Sequence, residues 1–83
     1  MGEIDLIAQD GQETVFVEVR IRKSARFGSP EETVGQQKQQ RIRTTAQVYL
    51  QQCRQIDTAC RFDVVAITGT PDNYVLEWIR DAF

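Results

Sequence analysis

The residues that could do chemistry in this chain are concentrated in its first 43 positions, where acids and bases are separated. Residues 1–19 carry no base and five acids, namely Glu3, Asp5, Asp10, Glu13 and Glu18. Residues 20–43 carry two acids and seven bases, namely Arg20, Arg22, Lys23, Arg26, Lys38, Arg41 and Arg43. An acidic segment beside a stretch of net charge +5 is suited to holding a divalent cation and a polyanion together. A solvated surface of mixed charge would give similar counts.

The composition restricts the metals that such a site could bind. The chain has no histidine, and its two cysteines, Cys53 and Cys60, would give a zinc ion only two thiols. Mg²⁺, in contrast, binds through one or two carboxylates and fills its other positions with water and substrate phosphate. The acidic segment therefore favours a hard divalent cation, Mg²⁺ or Mn²⁺, bound weakly.

Alternation of apolar and polar residues predicts that the acids lie on a β-hairpin. The alternation runs over residues 3–9, breaks at Asp10-Gly11 and resumes over residues 13–22. Asp-Gly between two such runs favours a two-residue turn. A turn centred on these two residues would pair positions whose numbers add to 21, so that Glu3 would face Glu18.

In this register Asp5 lies on the same face as Glu18, on the diagonal. Carboxylates that face each other across a strand pair repel, so the hairpin needs a compensating charge, either a cation or Arg20 two residues along. The alternative is that the polar residues form the solvated side of a sheet that packs on its other face.

The rest of the chain predicts one helix and two more strands. Ser29, Pro30 and Glu32 have the spacing of a helix N-terminus with a capping box. An amphipathic helix is then expected to continue to about residue 55, with an apolar stripe at Val34, Lys38, Ile42, Ala46, Tyr49, Cys53 and Ile56. Strands are expected over residues 62–68 and 74–79.

The element order is therefore β-β-α-β-β in one α/β domain over residues 1–83. A strand, a helix and a second strand imply a right-handed parallel crossover, so one long helix should pack on a mixed sheet. Lys38 lies within the apolar stripe of that helix. Its ammonium must either extend to solvent or meet an acid, and the carboxylates of the hairpin could supply that acid.

The same residues carry a resemblance to a known family. The resemblance lies in these residues of the chain: 2–8, 15–22, 27–30, Val34 with Lys38, Ala46, 49–50, 61–65 and 81–83. Over its whole length the chain resembles the YraN-like family of uncharacterised bacterial proteins. That family is similar to the PD-(D/E)XK nucleases, which include archaeal Holliday-junction resolvases and share the restriction-endonuclease-like fold.

The resemblance implies a Mg²⁺-dependent endonuclease site. Asp5 and Glu18 would bind the metal, with the Val19 carbonyl as a third ligand, and the metal would activate a water for attack on a phosphodiester. Glu3 would support the ligands. The nuclease pattern has a lysine where this chain has Arg20, which can brace a phosphate but is a poor partner for deprotonating water. Lys38 is then expected to supply the catalytic amine, with Lys23 as the alternative.

The expected substrate is nucleic acid, with DNA expected and RNA left open. The side chains expected to contact phosphate are Arg22, Lys23, Arg26 and Arg41. Because Arg20 replaces lysine, catalysis is an open question. A catalytically impaired nucleic-acid-binding module on the same fold and a structural or protein-interaction domain are the alternatives.

The resemblance also implies that a helix and a strand which precede residue 2 in the family are absent here, so that residues 1–83 are the C-terminal two thirds of its domain. The first strand would then have an exposed edge, which predicts a homodimer formed through that strand. The chain has no apolar run of membrane-spanning length and no leader sequence, so we expect a cytoplasmic protein.

Overall fold

The computed structural model shows a four-stranded mixed sheet with one helix, and it describes residues 3–24, 26, 28–29, 34–54 and 58–83. The elements are β1 (Leu6–Asp10), β2 (Glu13–Arg22), α1 (Gln36–Gln52), β3 (Cys60–Thr70) and β4 (Asn73–Ile79). The strands are ordered β1-β2-β3-β4 across the sheet. The β2–β3 pair is parallel and the two outer pairs are antiparallel. The predicted β-β-α-β-β order and mixed sheet are confirmed.

The first hairpin forms with a different turn from the one expected. Asp10 pairs with Glu13, so the two loop residues are Gly11 and Gln12, and paired positions add to 23. Gly11 has a φ of +61°, which is favourable for glycine at the first central position of a type II′ turn. The predicted pairing of Glu3 with Glu18 is therefore wrong. Because the register differs by two residues, every side chain keeps its predicted face of the sheet.

Helix α1 is shorter than predicted at both ends. Gly35, with a φ of −67° and a ψ of 164°, is extended and serves as the N-cap. The prediction that Ser29 caps the helix is therefore wrong: Ser29 lies six residues before Gly35, and its buried Oγ atom has no hydrogen-bond partner among the described residues. Pro30, Glu32 and Ile56, which belong to the same predictions, lie outside the described residues. The helix ends at Gln52, and Cys53, expected in the buried stripe, is exposed because it is the C-cap.

The hydrophobic core lies between α1 and the central strands. The helix buries Ile42, Ala46 and Leu50 against Phe16 of β2 and Phe62 of β3. The Phe16 and Phe62 rings are stacked, with centroids 5.5 Å apart. Because side chains alternate along a strand, the even-numbered residues of β2 face this helix and its core. Glu18 belongs to that set.

No described helix or strand covers the opposite face of the sheet. The same part of the chain contains no helix long and apolar enough to cross a membrane.

Candidate metal centre

Asp5 lies one residue before β1, at the position that continues the hairpin pairing to Glu18. Its Oδ2 atom accepts a hydrogen bond of 2.9 Å from the backbone N–H of Val19. This bond ties the exposed Asp5 side chain to the neighbour of Glu18 on β2. Asp5, rather than Glu3, is therefore the acid that faces Glu18 across the hairpin.

Glu18 is a buried acid with one unsatisfied oxygen. The residue is 4% exposed, and its Oε1 atom lies 3.3 Å from the Nζ of Lys38. Among the described residues its Oε2 atom has no hydrogen-bond partner. A buried carboxylate oxygen without a donor is costly, because water that would solvate it in the unfolded chain has been removed. This unsatisfied oxygen belongs to an acid that faces a second carboxylate, Asp5, across the hairpin.

The surroundings of Glu18 favour its neutral form. Burial, and next the negative charge of Asp5, raise the pKa of Glu18 above its usual value, while Lys38 acts in the opposite direction. The lysine therefore compensates the buried charge only in part. A divalent cation would stabilise the ionised pair, because it attracts both carboxylates.

Lys38 reaches this pair from the first turn of α1. Its side chain is 30% exposed, so the ammonium is partly buried and directed at Glu18. Of the two interpretations of a lysine in the apolar stripe, the structure shows the pairing with an acid.

Glu3 lies at the edge of this site and is paired with the helix. Its Oε1 atom accepts a hydrogen bond of 3.1 Å from Nε of Arg41, and both side chains are partly exposed. Such an exposed pair contributes little stability. Because Lys38 and Arg41 are three residues apart on α1, they lie on one side of the helix. Residues 3–5 therefore lie beside the start of the helix.

The other basic residues predicted to contact phosphate differ in their exposure. Arg20 is half-buried on the face of Glu18, two residues along β2. Arg22 donates hydrogen bonds to Thr68 Oγ1 at 3.0 Å and to the Gly28 carbonyl at 2.7 Å, and its side chain is only 15% exposed. These bonds tie β2 to β3 and to the following loop. Lys23 and Arg26 are exposed.

The donor set fits a hard cation of low affinity. The described residues include no cluster of three or more acids, thiols or imidazoles with metal-binding geometry. Asp5 and Glu18 are thus two carboxylates, the number that Mg²⁺ commonly takes from a protein. The Oε2 atom of Glu18, which has no hydrogen-bond partner among the described residues, is the oxygen available as a ligand.

A second charged network, which the sequence pattern did not predict, lies on the other face of the sheet. Asp63 of β3 is 0% exposed. It accepts hydrogen bonds from Arg61 Nε at 3.0 Å, Trp78 Nε1 at 2.8 Å and the Asp81 backbone N–H at 3.0 Å. Burial raises the pKa of Asp63, but these donors outweigh it and hold the pKa below its usual value. The only signal in the sequence was an aspartate within the apolar run of residues 62–67.

Arg61 connects this network to the first hairpin. Its Nη1 atom lies 2.9 Å from Asp10 Oδ2 and 3.0 Å from Glu13 Oε1, on either side of the turn. The hydrogen bonds to Asp63, and next those to Asp10 and Glu13, raise the pKa of Arg61 further above its usual value. All the carboxylates in this network are bound to protein donors, so it has a structural role.

Comparison with known proteins identifies relatives over almost all of the chain. The model of the uncharacterised protein family UPF0102 matches residues 1–67. A UPF0102 protein of Chromohalobacter salexigens is 54% identical over 82 residues, which are 99% of this chain and 66% of the relative. A UPF0102 protein of Shewanella amazonensis is 50% identical over 82 residues, 99% of this chain and 71% of the relative. UPF0102 protein YraN of Escherichia fergusonii is 50% identical over 84 residues, 99% of this chain and 61% of the relative. The chain spans about two thirds of the length of these curated relatives.

Proposed function

The chain belongs to the uncharacterised protein family UPF0102, and we propose that it is a nucleic-acid-binding domain in which Asp5 and Glu18 hold Mg²⁺ or Mn²⁺ for phosphodiester hydrolysis. Family membership confirms the resemblance to YraN. The observation that carries the proposal is the buried Glu18 carboxylate, whose Oε2 atom has no described donor and which faces a second acid.

Each residue of the site has a distinct task in this proposal. Glu18 would hold the metal through Oε2, because Oε1 is engaged by Lys38. Asp5 would hold it through its other oxygen, because Oδ2 accepts the Val19 N–H. The Val19 carbonyl remains a predicted third ligand. The bound metal would lower the pKa of a water and neutralise charge in the transition state.

We propose that Lys38 supplies the amine that would accept a proton from the attacking water and later release it. A lysine beside a metal-bound carboxylate can lose its proton more readily than an arginine, because guanidinium stays protonated at any physiological pH. Arg20, on the same face as Glu18, would instead bind a phosphate oxygen of the substrate.

Only some of the basic residues predicted to contact nucleic acid are placed to do so. Arg22 is largely buried and bonded to Thr68 and Gly28, so it holds the sheet and the loop together. Lys23, Arg26 and Arg41 are exposed and would contact phosphates. Such contacts are electrostatic and insensitive to sequence, so binding should weaken steeply with salt. DNA remains the expected nucleic acid.

A non-catalytic nucleic-acid-binding module is the second candidate function. The observation that favours it is Arg20, which takes the position of the catalytic lysine in the related nuclease pattern. A homodimer formed through the edge of β1 also remains a prediction. β1 is an edge strand, and all five of its residues are exposed.

A titration with metal tests the proposal directly. We expect millimolar Mg²⁺ or Mn²⁺ to raise the melting temperature of the wild type by a few degrees, because the metal binds only the folded chain. The double variant Asp5→Asn, Glu18→Gln should lose this response. Asp72→Asn, which removes an exposed acid from the β3–β4 turn, is the matched control and should respond like the wild type.

Identical responses of the wild type and the double variant would show that the two acids do not bind metal. Nicking of supercoiled plasmid and cleavage of a four-way DNA junction in Mn²⁺ then separate the two candidate functions. If the protein binds metal and binds DNA in a salt-sensitive way but does not cleave it, the non-catalytic binding module is the better of the two candidate functions.

A further inference from the structure

Helix α1 belongs to a segment of the chain that carries positive charge and no acid. Residues 33–56 hold four bases, namely Lys38, Arg41, Arg43 and Arg54. Because this segment carries +4 and the whole chain −2, the remaining residues carry −6. Most of the segment is α1, so the charge of this helix is suited to a polyanion although the chain as a whole is acidic.

The solvent side of α1 is polar along its length. Its exposed residues, here called the outer face of α1, are Gln37, Gln40, Arg41, Thr44, Gln47 and Gln51. They lie opposite the buried Ile42, Ala46 and Leu50. Val48 is the only apolar side chain among the exposed positions of this helix, which the structure describes in full. Burial of such a face against apolar groups would leave amides without partners, so the face is suited to water or to a polar partner.

Two arginines of α1 are held in place although both are exposed. Nε of Arg41 donates a hydrogen bond of 3.1 Å to Glu3. The guanidinium of Arg43 lies over the rings of Phe62 and Phe83, 5.0 Å and 5.6 Å from their centres. A guanidinium that is already ordered loses less side-chain entropy when it binds a phosphate, and its planar N–H groups match the phosphate oxygens.

We propose that duplex DNA docks with its major groove on the outer face of α1. A helix with its side chains is about 10–12 Å across, and the major groove of B-form DNA, about 12 Å wide, admits it. The contacts of Arg41 and Arg43 lie on opposite sides of the helix, toward the hairpin and toward β3, so each can meet one phosphate backbone. The glutamines lie between them, and an amide that both donates and accepts can meet any base pair.

The aromatic residues favour a duplex over a single strand. Proteins that bind single strands stack the bases on exposed aromatic rings. Among the described residues, the exposed aromatic side chains are Tyr74 and Trp78, and both lie on the sheet face opposite α1. Tyr49 of α1 is half-buried and packs edge-on against Phe16. Duplex RNA is a poorer fit as well, because its major groove is too deep and narrow for side chains to read.

The docked duplex would pass the metal site on the side of Arg41. Lys38 lies 3.3 Å from Glu18, and Arg41 is bonded to Glu3, so this side of α1 faces the hairpin. The backbone held by Arg41 would therefore run beside Asp5 and Glu18. Docking of this kind rests on the proposed function, in which these two acids hold the metal, and it names the nucleic acid as duplex DNA.

Fluorescence anisotropy of a labelled DNA duplex, without divalent metal, tests the docking. A duplex of about 15 base pairs is twice the length that α1 spans, since 17 residues extend over about 25 Å. The double variant Gln37→Glu, Gln40→Glu keeps side-chain size and helix propensity but puts two negative charges on the outer face. It should raise the dissociation constant at least about tenfold, because the phosphates are repelled. Circular dichroism will show that its fold persists.

Gln12→Glu with Asn73→Asp is the matched control. It adds the same charge at exposed positions in the β1–β2 loop and at the start of β4, so it should bind within about twofold of the wild type. Arg41→Gln should weaken binding and lower the slope of log affinity against log salt by about one. The wild type should bind duplex DNA at least about fivefold more tightly than single-stranded DNA or duplex RNA of the same sequence.

The outcomes separate this docking from the proposed function. If the Gln37→Glu, Gln40→Glu variant binds like its control, or if single-stranded DNA or duplex RNA binds as tightly as duplex DNA, the docking is overturned and the metal site is untouched. A wild type that binds no nucleic acid overturns both. If the wild type and the Asp5→Asn, Glu18→Gln variant respond identically to metal while the outer-face variants behave as expected, the metal site is wrong and the docking stands.

Discussion

Lys38 and Glu18 form a 3.3 Å ion pair that joins the first turn of the helix to the second strand of the sheet. It is a contact between a partly buried ammonium and an almost completely buried carboxylate. One carboxylate oxygen is paired, whereas the other has no described donor. The pair therefore fixes the position of the acid but satisfies only one of its two oxygens.

Removal of the lysine should destabilise the protein in a pH-dependent way. Lys38→Met leaves Glu18 buried without its cation, and we expect a loss of about 1–3 kcal/mol at pH 7, measured by urea unfolding. The pKa of Glu18 should rise further, so the carboxyl takes up a proton at mildly acidic pH and the loss should shrink at pH 5. Lys23→Met, at an exposed site, should change stability by less than about 0.5 kcal/mol. A loss of the same size at both pH values would show that the pairing with Glu18 is not its cause.

Neutralising Glu18 should stabilise the protein at neutral pH. The pKa of Glu18 is raised in the folded state, so folding favours the protonated carboxyl, and its ionised form costs stability as the pH rises through and above its usual pKa. We expect Glu18→Gln to gain about 0.5–1 kcal/mol at pH 7 and to lose that advantage near pH 4. Glu77→Gln, at an exposed acid, should gain nothing at either pH. A Glu18→Gln variant less stable than the wild type at pH 7 would contradict this prediction.

Restoring a lysine on β2 should increase any nuclease activity. Arg20→Lys places an amine that can be deprotonated on the same face as Glu18, where the present guanidinium stays charged. We expect faster plasmid nicking in Mn²⁺, by about tenfold or more. The same change combined with Glu18→Gln should show no gain. If Arg20→Lys is no faster than an inactive wild type, the binding module becomes the better account.

The buried Asp63 should contribute more to stability than any other acid in the described structure. Asp63→Asn removes the charge that pairs with Arg61 and leaves the guanidinium with two exposed acids, Asp10 and Glu13. Removing one partner of a buried pair costs about 3–5 kcal/mol, so we expect a loss of at least about 3 kcal/mol in urea unfolding at pH 7. Asp72→Asn should cost less than about 0.5 kcal/mol.

The pH dependence of Asp63 has the opposite sign from that of Glu18. Its pKa is below the usual value in the folded state, so its contribution is present at pH 5 to 7 and is lost as the pH falls through and below the usual value of 3.8. The difference in unfolding free energy between the wild type and Asp63→Asn, followed by Trp78 fluorescence, should therefore be largest at pH 5 to 7 and should shrink below pH 4. Parallel acid transitions in the two proteins would contradict this assignment.

The sequence predicted the elements well because their signals are local. The alternation from Glu13 to Arg22 gave β2 with the observed bounds, and the helical spacing identified Ile42 and Ala46 as buried. The register of the first hairpin was missed because Asp10-Gly11 and Gly11-Gln12 both make acceptable two-residue turns. Their difference depends on the strands that the turn must join, which turn chemistry alone does not determine.

The contacts between distant segments were harder to predict. The stripe position of Lys38 left two possibilities, extension to solvent or pairing with an acid, and the structure shows the pairing with Glu18. Nothing local distinguished Arg22 from Lys23, although Arg22 binds Thr68, 46 positions away, and Lys23 is exposed. The role of Asp63 depends likewise on Trp78 and Asp81, which reach it only when β4 has paired with β3.

The parallel pairing of β2 with β3 has a consequence for the order of folding. The two hairpins connect neighbouring segments, and each can form on a microsecond timescale. The β2–β3 pair joins Thr14 to Cys60, and the whole helix lies between them in the chain. Closing this long loop has an entropic cost that comes before any of the β2–β3 contacts can form. The hairpin that carries Asp5 and Glu18 is therefore expected to form before Lys38 is in place, and the repulsion between its two carboxylates would then oppose it. If Asp5 and Glu18 hold a divalent cation as proposed, that cation would relieve the repulsion before the crossover closes, so its presence should accelerate refolding as well as stabilise the folded chain.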